Sequence, residues 1–150
     1  MTPARQTIVI VALALAAAVA SAVFHPKRPA WYQVEDPETL RWRVTAEKAA
    51  ELIATEPVLL VDSRTRERFE KDHIDGAILL DRAEWGKLMF QHMQRLQDAM
   101  SETVIVYRDS EDRVRGDDVA RELREIIGLD PVYVLQGDWR ELRARLEATD

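Results

Sequence analysis

Four short apolar runs punctuate the sequence after residue 57: Val58–Val61, Ala77–Leu80, Thr103–Tyr107 and Val132–Leu135. None alternates with polar residues, and unbroken apolarity over so few positions predicts strands covered on both faces. Between them the apolar period changes to three or four. Thr45 can cap a helix over Ala46–Thr55, with Ala49, Leu52 and Ile53 on one face and Pro57 as a stop. Thr65–Lys71 reads as a short charged helix. Asp81–Met100 reads as a longer one, with Gly86 as its point of interruption and Trp85, Leu88, Met89, Met93, Leu96 and Met100 facing the core. Asp117–Ile127 carries Val119, Ala120, Leu123, Ile126 and Ile127 at helical spacing, and Gly128 stands where a left-handed C-cap belongs. Trp139–Leu146 closes the series. Strands alternating with helices predict an α/β fold, a parallel sheet with helices on both faces.

The N-terminal part follows another pattern. After a short tail (residues 1–6), Thr7–Phe24 is apolar throughout and uncharged. A membrane-spanning helix needs roughly 17–25 such residues, so the run predicts a single-pass membrane anchor. The competing expectation is a secretory signal, with Arg5 as basic flank, Ile8–Leu15 as apolar stretch and Ala20-Ser21-Ala22 as cleavage site, which would leave an exported protein. Lys27 and Arg28 on one side and Arg5 on the other leave the orientation open. Residues 25–44 read as a linker or arm, rich in proline at its start, with Trp31 and Tyr32 suited either to the membrane interface or to a domain surface. The folded domain is expected over residues 45–150.

Composition narrows the function. The net charge of the 150 residues is -6, which argues against nucleic-acid binding, since a basic surface is needed to displace counterions. There is no cysteine, so no disulfide, thiolate nucleophile or cysteine-ligated zinc can form. Asp72, His73 and Asp75 lie close together, but no second histidine completes a metal-binding spacing, so no metal and no cofactor is expected.

The segment VLLVDSRTRERFEKDHIDGAILL, Val58–Leu80, resembles the opening half of a rhodanese-like domain, in which an apolar strand is followed by Asp-x-Arg, a short helix and Gly-His-Ile-x-Gly-Ala. Asp62, Arg64, Phe69, His73, Ile74, Gly76 and Ala77 stand at the matching spacings. The later order also fits: a TVIVY strand, a loop, a helix, then a strand and Gln136-Gly137-Asp138-Trp139 as a partial match to Gly-Gly-x-x-x-Trp. The resemblance implies a structural role for Asp62, Arg64, His73 and Gly76, which would hold loops by buried hydrogen bonds. It also implies a loop of the form Cys-x-x-Gly-x-Arg after the TVIVY strand. There, backbone N–H groups converge on the sulfur-carrying thiolate or a bound anion.

At that place the sequence departs from the family. Arg108 occupies the cysteine position and Glu111 the glycine position, and Arg113 stands where the loop arginine belongs. Arginine is permanently protonated and is no nucleophile, so the degenerate loop Arg108, Asp109, Ser110, Glu111, Asp112 and Arg113 offers no catalytic residue. Ser110 would need an adjacent base, and of the three histidines His25 lies outside the domain, His73 in the motif and His92 on a helix. Arg108, Arg113 and Arg115 can in principle clamp an anion. Asp109, Glu111, Asp112, Asp117 and Asp118 outnumber them, however, and the last two are placed in the first turn of the following helix, so a self-paired surface cluster is favoured over an anion site.

The expected function is that of a membrane-attached, catalytically inactive binding or regulatory module with a protein partner. The alternatives are a sulfurtransferase-related enzyme that borrows a partner's thiol, an anion-binding protein built on the cysteine-less loop, and a structural spacer in the cell envelope.

Overall fold

The computed structural model of the protein describes residues 40–110 and 113–148, apart from the side chains of Arg113 and Val114. The expected anchor or signal at 7–24, the tail before it and residues 25–39 of the arm lie outside this range, as do Glu111 and Asp112. None of the described helices is long and apolar enough to cross a membrane.

Five parallel strands form one sheet in the order β1-β5-β4-β2-β3: β1 (Arg43–Val44), β2 (Val58–Asp62), β3 (Ile78–Leu79), β4 (Thr103–Tyr107) and β5 (Val132–Leu135). The helices are α1 (Ala46–Thr55), α2 (Arg66–Lys71), α3 (Trp85–Gln91), α4 (Met93–Asp98), α5 (Arg113–Glu122) and α6 (Trp139–Glu147). Thr45 Oγ1 accepts from Lys48 N at 3.3 Å and starts α1, as an N-cap side chain does. Gly128, at φ 80°, ends the helical segment that continues α5 and returns its N–H to the carbonyl of Leu123.

The sheet is covered on both faces, and the pleat divides each strand between them. Leu59, Val61, Val104, Val106, Val132 and Val134 pack against Leu88 of α3, Leu96 of α4 and Val119 and Ala120 of α5. Leu60, Ile105, Tyr107 and Leu135 pack on the opposite face with Ala46 and Ala49 of α1 and Trp139 and Leu142 of α6. The unbroken apolar runs of the sequence are thus the central strands of a doubly covered parallel sheet.

Three local readings change. Arg43–Val44, taken above as the end of the arm, forms the edge strand β1, where Val134 N donates to Trp42 O and Gln136 N to Val44 O. Two residues are too few to carry a strand pattern. The Asp81–Met100 helix is not interrupted at Gly86, which lies inside α3. The continuous helical rise breaks instead at His92, whose φ and ψ are -101° and 10°. Leu96 and Ala99 stay on the face set by Trp85 and Leu88, whereas Met93 and Met100, expected on the core face, lie beside that stripe and are about half exposed. Finally, α5 begins at Arg113 rather than at Asp117, and its last turn, Leu123–Ile127, is a π turn that leaves Ile126 exposed and Ile127 packed on the core.

The topology also locates a site. From β1 the chain jumps to β2, passes outward to β3, returns to β4 beside β2, and then leaves in the other direction to β5. The reversal falls between β2 and β4, and in such sheets ligands bind beyond the carboxyl ends of the strands at that crevice. There Asp62 and Tyr107 pair in register as the last residues of the two strands.

Leu59→Ala, at a 1% exposed position, is expected to destabilise the fold by about 2–5 kcal/mol, and Phe90→Ala, at a 78% exposed position, by no more than about 0.5 kcal/mol. Urea denaturation of the two variants measures the difference.

Candidate functional site

Beyond β2 and β4 the segments Ser63–Thr65 and Arg108–Ser110 lie side by side. Ser63 joins them directly, donating from both its backbone N and its Oγ to Tyr107 O, each at 3.0 Å. Asp62 is fully buried, and Arg64 forks onto it: Nε lies 3.0 and 3.1 Å from the two carboxylate oxygens, and Nη2 lies 2.6 Å from Oδ2. Arg64 Nη2 also donates to Asp72 O at 2.6 Å, and the guanidinium lies 4.2 Å from the centre of the Trp139 ring. Burial works against the Arg64 charge, yet the hydrogen bond and charge of Asp62 outweigh it and hold the group above its ordinary pKa.

The turn after α2 is tied to the same point. Tyr107 Oη accepts from Ile74 N at 3.2 Å, and its ring stacks on Trp139 at 5.7 Å. Burial, and then the Asp62 charge, push the Tyr107 phenol well above its usual range, so it stays neutral. The His73 ring stacks on Phe69 at 4.0 Å, with Nδ1 2.8 Å from Phe69 O. Gly76, at φ 81°, takes the left-handed step that brings the chain into β3.

Arg108 begins the facing loop and is only 4% exposed. Its Nη1 donates to Asp109 O at 3.3 Å, and its aliphatic stem lies across Gly116 on α5, where a Cβ would stand 2.5 Å from Arg108 Cδ. The glycine is therefore the space into which this arginine folds. Asp109 turns its carboxylate inward. Oδ1 accepts from Trp139 Nε1 at 3.3 Å and lies 3.7 Å from Arg64 Nη1, while Oδ2 is paired with Arg68 of α2. Ser63, Arg64, Thr65, Arg68, Arg108, Asp109 and Arg115 line a cavity of about 220 Å³ at this place. Ser110 is exposed, and the backbone of Arg113 opens α5.

A cavity at the carboxyl ends of β2 and β4, lined by Arg108 and Asp109 directly after β4, is the geometry expected from the motif. Residues 45–145 match the family described as rhodanese-like domain. The chain belongs to that family. Among solved structures it is similar to the thiosulfate sulfurtransferase of Pseudomonas aeruginosa, at 20% identity and a TM-score of 0.50, over 71% of this chain but only 18% of that one. It is similar as well to a protein from Lactobacillus plantarum (19% identity, TM-score 0.50, 70% of this chain and 84% of that one). A single-domain sulfurtransferase of Saccharomyces cerevisiae gives 17% identity and a TM-score of 0.43, over 70% of this chain and 90% of that one. Among proteins of curated function none matches this sequence. At these identities the likeness concerns the fold alone.

Within this rhodanese-like domain the charge balance of the site differs from the balance along the loop. Asp117 and Asp118 are not in the first turn of α5: Asp117 accepts from Arg43 Nη2 at 3.1 Å and Asp118 from Arg121 Nη2 at 2.6 Å. The other strand's loop and α2 bring in Arg64 and Arg68 instead. Among the described residues the cavity is lined by four arginines and one carboxylate. Arg68, Ser63 and Thr65 were not singled out from the sequence, since they precede the degenerate loop by some forty positions. The pairing of β2 with β4 was the signal that places them there.

Two substitutions probe this arrangement. Arg64→Ala strands the buried Asp62 carboxylate and is expected to cost about 3–5 kcal/mol, measured by chemical denaturation. Gly116→Ala should destabilise the native chain by about 1–3 kcal/mol, because Arg108 must leave its place. In an Arg108→Ala background the same change should instead stabilise by up to about 1 kcal/mol, alanine being the better helix former. A double-mutant cycle reads this reversal of sign.

Proposed function

We propose that the protein is a membrane-anchored, catalytically inactive rhodanese-like module that acts by binding a protein partner. The single observation behind this reading is the buried arginine at position 108, directly after β4, in a chain without cysteine. Sulfur transfer in this fold needs a thiolate at that place, and a guanidinium can neither attack sulfur nor carry it. The change is accommodated by its surroundings: Gly116 leaves room for the arginine stem, and the backbone carbonyl of Asp109 accepts from its guanidinium. The apolar run Thr7–Phe24 supports attachment to a membrane.

A second reading, a site for a small oxyanion, is favoured by the four arginines of the cavity. It retains the geometry without the chemistry, and it is compatible with a regulatory role.

The full chain in neutral detergent is expected to show no turnover of thiosulfate with cyanide above the blank. Arg108→Cys should not restore it, because the loop that follows carries Asp109, Glu111 and Asp112, with Glu111 at the family's glycine position, and such a loop disfavours a thiolate. Thiocyanate formation by the native chain would overturn the inactive reading, and by Arg108→Cys it would show that the loop keeps a catalytic geometry. Crosslinking in membranes should give a discrete adduct with a partner, whereas a spacer would give none.

A further inference from the structure

We propose that the cleft between α1 and α6 docks a protein partner by taking in one of its arginine side chains. The inference goes beyond the reading of the degenerate cavity, since none of the residues that line this cleft borders the space beside Arg108. Both helices pack on the same face of the sheet. Ala50, Ile53 and Ala54 of α1, and Arg143, Leu146 and Glu147 of α6, are each spaced i, i+3 and i+4, so each set forms one helix face. These two faces and the turn Asp72–Asp75 border a cleft of about 590 Å³, within the roughly 300–1,000 Å³ of ligand pockets. Much of its lining is apolar, and the two alanines, one turn apart, leave the α1 side open.

Two acceptors in this lining have no partner among the described residues. His73 Nδ1 stands 2.8 Å from Phe69 O. A carbonyl cannot donate, so Nδ1 carries the proton and the neutral ring leaves Nε2 as an acceptor. Asp75 is exposed, and among the described residues no hydrogen bond or ion pair holds its carboxylate. The cation of the cleft is already held: Arg143 is paired with Asp72 through Nη1 and with Glu147 through Nε at 3.1 Å, and its guanidinium lies 5.6 Å from the centre of the Trp139 ring. Three carboxylates therefore face one guanidinium beside an apolar wall. That combination selects a side chain that is apolar along its length and cationic at its tip. Arginine meets both demands. Its alkyl stem lies along Ile53 and Leu146, while its planar head forks onto the Asp75 carboxylate and keeps an N–H for His73 Nε2. Ala54, Asp75 and Glu147 are exposed, so an arginine on the surface of another protein reaches the cleft without parting the helices.

The test uses the full chain in neutral detergent, the peptide acetyl-Ala-Leu-Arg-Leu-Ala-amide and its citrulline counterpart, in which a neutral urea group replaces the guanidinium. Binding is read from the backbone amide signals in NMR spectra of the isotope-labelled chain. The arginine peptide should move the signals of Ala54, Asp75 and Gly76. It should bind about tenfold tighter than the citrulline peptide, the order by which a charge-assisted hydrogen bond exceeds a neutral one. Asp75→Asn should lose about the same tenfold for the arginine peptide, and Ala54→Trp, which fills the cleft from an exposed position, should abolish binding. No binding by the native chain, or equal affinity for the two peptides, would overturn the proposal, and that comparison needs no variant. Native affinity in either variant would place the peptide elsewhere and overturn the cleft. Binding of N-acetylarginine amide as tightly as the peptide would overturn the protein partner in favour of a small guanidine. Turnover in the thiosulfate assay would sink the inactive reading and leave these comparisons untouched, so the two failures are distinguishable.

Discussion

The Asp62–Arg64 pair holds the functional end of this domain together. Both side chains are almost wholly removed from water, which is costly for isolated ions, and the geometry offsets the cost: a two-pronged guanidinium on a carboxylate, with further bonds on both sides. Asp62 Oδ1 also accepts from Arg64 N at 2.9 Å, fixing the loop as it leaves β2. Arg64 then reaches Asp72 O and lies flat on Trp139. One ion pair therefore positions the end of a central strand, the turn that follows α2 and the first residue of α6. The floor of the cavity is set by these three.

On that rigid floor lies a loop that has exchanged one kind of chemistry for another. A rhodanese-like site needs a thiolate surrounded by N–H donors. In this chain the same place holds a guanidinium folded over Gly116 and a carboxylate that faces Arg64, Arg68 and Trp139. The cavity keeps arginine-lined walls, and an arginine stands where the reactive sulfur would be. Such a site lacks the nucleophile on which group transfer depends, and the proposed binding role asks only for shape and charge.

Much of this was visible in the chain itself. The unbroken apolar runs mark buried strands because residues covered on both faces cannot alternate. The Asp62–Ala77 spacing carries the family, and the absence of cysteine is a property of composition alone. The half exposure of Met93 and Met100 was not visible, because apolar residues at spacings of three or four fill a wider arc than the narrow stripe of Leu88, Leu96 and Ala99 that the sheet covers. The edge strand β1 was hidden for the opposite reason: its two residues pair only because β5 is there to receive them.

The charge of the site shows the division most clearly. Along the chain, acids outnumber arginines around Arg108, and linear counting makes the loop negative. In the fold, Asp117 turns to Arg43 and Asp118 to Arg121, while Arg64 and Arg68 arrive from the segment after β2, and among the described residues arginines predominate in the cavity lining. Local order determines which residues form strands and which atom is missing for catalysis, because both follow from identity and spacing. Which charges share a cavity depends on the parallel pairing of β2 with β4, a contact between residues more than forty positions apart, and only the tertiary structure decides it.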